Sequence, residues 1–160
     1  MTAKCYYTGF GTVYHIEFHV KDTVVFNNGI VNKKIEPTKL KDYTYESVAF
    51  YILAAHIKHF FEQNNSINRI IVFSSIEADT IAAAMNDPKT PAEIYLSELF
   101  QNRKIAFDSR EDGKTATVAR NVLSEYLRMR SEGLCTDFNT SKDEEDPFRD
   151  PFADRYHIYQ

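Results

Sequence analysis

The sequence predicts an α/β fold in which an antiparallel meander of strands precedes alternating helices and strands. Three segments carry this prediction. Residues 12–20, "TVYHIEFHV", alternate apolar and polar side chains with the period of two that is typical of a half-buried strand. Residues 45–63 are apolar around most of the helical circumference, as expected for a central helix. Residues 68–75, "NRIIVFSS", form a short apolar run suited to a strand covered on both faces.

The segment after residue 20 predicts the rest of the meander. Residues 21–22, "KD", read as a turn, and residues 23–26, "TVVF", read as a second strand. Residues 27–29, "NNG", tolerate positive φ and predict a hairpin turn that leads into a third strand over 30–37. The resulting order is a three-strand antiparallel meander followed by α-β-α-α-β-α.

Two capping boxes predict where the next helices begin. One spans residues 74–77, "SSIE", before a helix near 76–85. The other spans residues 90–93, "TPAE", with proline at the first helical position, before a helix near 91–101.

The last predicted elements are a strand over 104–109 and an amphipathic helix over 116–130. Gly133 is placed to end that helix. The side chains predicted to face the core from this helix are Val118, Val122, Leu123, Tyr126 and Met129.

Length and charge divide the chain into one domain, residues 1–133, and an acidic tail, residues 134–160. The net charge of the 160 residues is −4, and the last twenty hold three Lys or Arg against six Asp or Glu. The rest of the chain is therefore close to neutral. A neutral domain lacks the cationic surface of most nucleic-acid binders, so the charge does not support a nucleic-acid partner.

The sequence also bears on the cellular setting. The two cysteines, Cys5 and Cys135, lie far apart and have no CxxC spacing, which favours a reducing, cytoplasmic protein. No apolar run approaches the length of a membrane span, so no membrane association is expected.

The succession of elements over about residues 4–131 resembles the ribonuclease H-like family. In that resemblance the long helix carries Glu46 at the family's catalytic glutamate position. Thr8, before Gly9, occupies the place of the first-strand aspartate, Ser74 or Ser75 that of the aspartate ending the fourth strand, and Asn121 that of the aspartate opening the last helix. Among these four positions, only Glu46 keeps the family's residue.

The resemblance implies a reaction that this residue set does not supply. Two-metal hydrolysis of a phosphodiester needs several carboxylates that hold two Mg²⁺ about 4 Å apart. One glutamate with neutral Thr, Ser and Asn lacks the charge for that task, so we expect a catalytically degenerate pseudoenzyme without a cofactor. The alternative is a divergent Mg-dependent nuclease with a rearranged set, formed by Glu46 with some of Asp79, Asp108 and Asp112.

Histidines offer a second candidate metal site. His15, Glu17 and His19 share one face of the strand over 12–20, and His56 and His59 lie three apart on the long helix. Two or three imidazoles with a carboxylate can bind zinc. Because no cysteine or second HxxxH motif supports the site, we expect hydrogen-bonded histidines and no metal.

The tail repeats Asp-Pro-Phe, once from Asp146 to Phe148 and once from Asp150 to Phe152. Each unit places an aromatic side chain after a rigid proline within an acidic stretch. Such a segment can insert Phe148 and Phe152 into apolar pockets of a protein partner while the carboxylates steer the encounter. A tail that packs on its own domain and an inert solubilising tail are the alternatives.

Overall fold

The computed structural model describes residues 1–33, 45–108 and 113–133, with the side chains of 45, 46 and 113–116 left out. The acidic tail lies outside the described residues. The elements are β1 (Thr2–Phe10), β2 (Val13–Val20), β3 (Thr23–Asn32), α1 (Tyr45–Gln63), β4 (Arg69–Ser74), α2 (Ala78–Asn86), α3 (Pro91–Gln101), β5 (Ile105–Asp108) and α4 (Gly113–Ser131).

The five strands form one mixed sheet in the order β3-β2-β1-β4-β5. β1 pairs antiparallel with β2, and β2 pairs antiparallel with β3. β4 pairs parallel with both β1 and β5. The α/β class and the element order after the meander therefore agree with the sequence-based prediction.

The meander itself differs from the prediction in its first and third strands. Its first strand is β1, which begins at Thr2, and β3 continues through the "NNG" segment where a hairpin turn was expected. Here Gly29 has a φ of +67°, Asn28 Oδ1 accepts a hydrogen bond from the Ile16 amide at 3.0 Å, and the β2–β3 register shifts between His15 and Glu17. The segment forms a β-bulge, which needs the same positive φ that a hairpin turn needs.

The helices follow the prediction closely. α1 and α3 have the predicted bounds, and Thr90 Oγ1 accepts a hydrogen bond from the Glu93 amide at 3.2 Å, as the capping box requires. The capping box predicted at 74–77 is wrong. Glu77 is itself the N-cap of α2 and makes no side-chain capping bond. The Ser74 hydroxyl accepts a hydrogen bond from the Ile76 amide, which lies before the helix.

The last helix begins earlier than predicted, at Gly113. Leu123 is 39% exposed, so its predicted place on the packing side is wrong, whereas Val122 and Tyr126 are buried. Gly133 follows the helix with a φ of +72°, as expected of a residue that ends it.

The sheet separates two apolar cores of unequal size. The larger core joins β1, β2, β4 and β5 to α1, α2 and α3, and α1 supplies much of it. On the opposite face, α4 packs against β1 and β2 through Val13, Val122 and Tyr126. No helix in the described part of the chain is long and apolar enough to cross a membrane.

Candidate functional site

The ends of β1 and β4 bring two of the sequence-predicted site positions together. These parallel strands are in register up to the pair Tyr7 and Ser74. Beyond that pair, the Ser75 amide donates to the Tyr7 carbonyl at 3.1 Å, and Ser75 Oγ accepts from the Gly9 amide at 3.4 Å. Thr8 and Ser75 therefore lie on neighbouring strand ends, in a site that we call the strand-end site.

The strand-end site is neutral, and its two residues differ in burial, since Ser75 is exposed. Thr8 is only 3% exposed and pairs in register with His15 of β2. Its neighbours in sequence, Tyr7 and Gly9, bond to the segment after β4 through their backbone groups. At these two positions the site offers hydroxyl groups in place of carboxylates.

Glu46 and Asn121 are placed on two different helices. Glu46 lies in the first turn of α1, and its side chain is outside the described part of the structure. Asn121 is exposed and lies roughly two turns after α4 begins, not at its first residue.

The carboxylates of the alternative nuclease site are spread over separate elements. Asp79 is exposed in the first turn of α2. Asp108 ends β5 and pairs with Phe73 of β4, so two strand spacings, about 10 Å, separate its backbone from β1. Asp112 lies outside the described residues.

The polar side chains of β2 form a largely buried group, which we call the β2 polar cluster: His15, Glu17 and His19. Glu17 is 4% exposed and His15 is 8% exposed. His15 Nε2 lies 3.0 Å from Glu17 Oε2, and His19 Nε2 lies 3.5 Å from Glu17 Oε1. His15 Nδ1 lies 2.7 Å from the Gly29 carbonyl oxygen, so this nitrogen carries a proton and donates it. The other ring nitrogen of His15 faces the Glu17 carboxylate.

The two histidine groups lie on opposite faces of the sheet. Tyr14 belongs to the larger core and its hydroxyl lies 2.7 Å from His56 Nε2, whereas His15, the next residue, points to the other face. Burial lowers the pKa of His56 to about 3, an effect to which Lys33 and His59 add, so its ring is neutral at neutral pH. The five residues of the zinc hypothesis therefore do not share one site. Within the described ranges, no group of three or more His, Cys, Asp or Glu is arranged to hold a metal ion.

A pocket of about 220 Å³ between β3 and α1 was missed by the sequence analysis. We call it the β3–α1 pocket; it is lined by Phe18, Val25, Phe26, His56, His59, Phe60, Gln63 and Asn64. His56 and Phe60 are four residues apart and so share one face of α1, and Phe18 is one of the apolar residues that alternate along β2. What the sequence did not indicate was that β3 is the outermost of the described strands, so that the pocket lies at the side of the sheet.

In comparisons with known proteins, the chain matches no protein-family model and has no significant similarity to a curated protein. Its function is therefore argued from the strand-end site, the β3–α1 pocket and the sequence of the tail.

Proposed function

We propose that the chain is a noncatalytic, regulatory interaction protein of ribonuclease H-like fold, which binds a protein partner through its Asp-Pro-Phe tail. The observation that carries the first half of this proposal is the strand-end site. Thr8 and Ser75 stand on adjoining strand ends where the resemblance calls for aspartates, and their segment is held by backbone and hydroxyl hydrogen bonds.

The sheet supports the ribonuclease H-like assignment. An antiparallel β1-β2-β3 meander with β4 and β5 added in parallel beside β1 is the arrangement that the resemblance implies. The helix between β3 and β4 also begins next to Glu46, as that resemblance requires.

The chemistry of the strand-end site supports a loss of catalysis. Two-metal phosphodiester hydrolysis depends on carboxylates that bridge and charge-balance the ions. A neutral hydroxyl at Thr8, 3% exposed, cannot replace a bridging carboxylate. Glu46 by itself would leave most of the charge of two Mg²⁺ uncompensated.

The tail supplies the second half of the proposal. Phe148 and Phe152 each follow a proline, which limits the backbone freedom lost when the ring is inserted into a partner. Asp146 and Asp150 add the negative charge that favours a basic protein surface over a nucleic acid.

Cleavage of an RNA/DNA hybrid tests the first half. The purified full chain and the Glu46→Gln variant are incubated with a labelled hybrid in Mg²⁺ and then in Mn²⁺. We expect the same background signal from both proteins. Cleavage by the native chain that the variant loses would overturn the proposal and establish the alternative, a divergent nuclease.

Partner capture tests the second half. The full chain and its Phe148→Ala, Phe152→Ala variant are immobilised at equal density and exposed to the same extract. We expect a protein retained by the native chain and lost by the variant. Equal recovery of every bound protein by both chains would remove the tail from the proposed function.

A further inference from the structure

The β3–α1 pocket is an aromatic chamber at the edge of the sheet. The rings of Phe18 and Phe60 stack at 4.2 Å with an interplanar angle of 6°, and Phe26 meets Phe18 at 6.0 Å in a T-shaped contact. Phe26 also approaches the neutral ring of His56 at 5.9 Å. Val25, at the mouth, is 49% exposed.

The size and lining of the pocket fit one aromatic side chain. A dry cavity of roughly 150 Å³ lined by apolar side chains is large enough to bind benzene. The β3–α1 pocket, at about 220 Å³, exceeds that volume and presents ring edges and faces to whatever enters it. Aromatic pairs favour such offset and edge-to-face contacts.

We propose that this pocket receives Phe148 or Phe152 of the chain's own tail. The tail has the length to reach it: residues 134–147, fully extended, span about 45 Å, more than the roughly 35 Å width of a domain of this size. The tail also has a suitable charge. Its last twenty residues hold six Asp or Glu against three Lys or Arg, and His59 lines the pocket beside Lys58. Glu62, exposed one turn further along α1, is a negative side chain that repels the acidic tail.

Tethering favours the chain's own tail over the tail of a second copy. Burying one phenyl ring shifts an equilibrium by roughly ten- to a hundredfold, which alone makes a weak site. A tethered segment meets such a site at an effective concentration in the millimolar range, whereas a second copy is present at its own, much lower concentration. A phenylalanine that enters the pocket therefore comes from the same molecule and not from a second copy.

This inference rests on the proposed role of the tail in binding a partner and adds its regulation. While a phenylalanine occupies the β3–α1 pocket, that side chain is unavailable to a partner. A partner must compete with the domain, so its apparent affinity is the intrinsic affinity multiplied by the fraction of tails that are free. Loss of docking should therefore strengthen capture of the partner.

Tryptophan fluorescence tests the proposal directly, because the chain contains no tryptophan. Phe148→Trp and Phe152→Trp are made separately in the full chain, which gives each protein a single indole. We expect blue-shifted emission and protection from acrylamide in at least one of them. Emission of a fully hydrated indole in both, together with pocket amide signals that do not respond to removal of the two phenylalanines, would overturn the proposal.

Two valines of β3 provide a matched pair of variants. Val25 lines the pocket and is 49% exposed, whereas Val24 pairs with His19, does not line the pocket and is 46% exposed. In the tryptophan background, Val25→Asp should return the emission to that of a hydrated indole, and Val24→Asp should leave it blue-shifted. If Val25→Asp changes nothing, the tail docks elsewhere and the pocket assignment fails.

Dilution separates the chain's own tail from that of a second copy. The blue shift should be unchanged over about a hundredfold dilution, because the effective concentration of a tether does not depend on protein concentration. A shift that fades on dilution would mean docking between copies and would overturn the intramolecular proposal.

A measurement with the native side chains covers the case in which an indole is too large for the pocket. In ¹H–¹⁵N spectra of the full chain, Phe148→Ala with Phe152→Ala should shift the amide signals around Val25 and Phe60 and leave those around Leu127 in place. Unchanged signals around the pocket would overturn the proposal. Partner capture lost in this double variant, together with such unchanged signals, would leave the proposed function intact and remove only the intramolecular docking.

Discussion

Gly9 leaves space for the ring of Tyr7, two residues earlier on the same face of β1. A Cβ at Gly9 would overlap the Tyr7 hydroxyl, and it would lie 2.8 Å from Tyr7 Cζ and 3.2 Å from Tyr14 Cβ. Tyr7 is fully packed in the larger core, at 1% exposure, so its ring has little freedom to move away. Gly9, which follows Thr8, therefore has a packing role.

We expect Gly9→Ala to lower the free energy of unfolding by about 1–3 kcal/mol, the usual cost of overpacking a core. The Tyr7 hydroxyl is buried and has no hydrogen-bond partner among the described groups, so Tyr7→Phe alone should cost nothing or stabilise the fold. The double variant should lose less than Gly9→Ala. Urea unfolding of the four proteins measures this coupling, and strictly additive losses would contradict the overlap.

His56 makes stability depend on pH. The pKa of His56 is about 3 in the folded chain, whereas its reference value is 6.5. Between pH 6.5 and pH 3 the unfolded chain therefore binds a proton at this residue and the folded chain does not. Stability from this residue is complete above about pH 6.5 and is lost as the pH falls towards 3, by up to about 1.4 kcal/mol per pH unit.

His56→Gln keeps a polar group for the Tyr14 hydroxyl but cannot be protonated. Between pH 7 and pH 5, we expect the native chain to lose about 2 kcal/mol more stability than this variant. The other histidines are common to both proteins and cancel in the difference. Parallel urea-unfolding profiles would show that His56 is not a buried neutral group.

At the scale of elements, α2 and α3 differ in how their first turns are capped. Thr90 caps α3 through the Glu93 amide, and its hydroxyl also lies 3.0 Å from Glu93 Oε1. Glu77, the N-cap of α2, has extended backbone angles but makes no side-chain bond. The N-cap side chain therefore bonds to the first turn in α3 but not in α2.

Opposite substitutions should have opposite effects at these caps. Thr90→Ala removes an existing cap and should cost about 1 kcal/mol. Glu77→Ser supplies the side chain that an N-cap prefers and should add about 0.5–1 kcal/mol. Thermal unfolding of the two variants measures both changes, and a loss with Glu77→Ser would mean that the Glu77 carboxylate contributes more than a cap would.

The sequence predicted those elements whose signals are local. The apolar pattern of α1 and the cap at Thr90 each lie within a few residues of the helix that they specify. The bounds of α1 and α3 were therefore predicted correctly. The "NNG" segment of β3 was misread because a positive φ at Gly29 serves a turn and a bulge equally well. The choice between a turn and a bulge depends on whether β2 pairs with the residues on both sides of this segment, which is a tertiary property.

The site was less predictable than the fold for the same reason. Thr8 and Ser75 could be paired only through a resemblance, because the register between β1 and β4 joins residues far apart in sequence. The β3–α1 pocket depends on which strand lies at the sheet edge, and the burial of His15 and Glu17 depends on what covers β2. No spacing in the sequence encodes these facts.

At the scale of the whole molecule, the unequal cores imply unequal local stability. α1 contributes a continuous buried run to the larger core, whereas α4 is held by the small cluster around Val13, Val122 and Tyr126. Segments with few buried apolar contacts open at lower free energy than the global transition.

Hydrogen exchange should resolve this difference. We expect the amides of α4 to exchange ahead of those of α1 in the native chain. Val122→Ala should lower the opening free energy of α4 by about 2 kcal/mol and leave that of α1 almost unchanged. Equal responses of the two helices would show that the domain opens as one unit.

The bulge at Gly29 also bears on how copies of the chain behave together. Residues 23–32 contain no charged side chain and no proline, the features that usually keep a sheet edge from recruiting a strand of another molecule. The two register shifts between β2 and β3 protect this edge from strand addition, because a kinked edge does not present a regular ladder of amides and carbonyls. Deleting Gly29 would remove the first of these shifts and lengthen the regular part of the edge, and the expected result is self-association, visible as rising light scattering in solutions where the native chain stays clear.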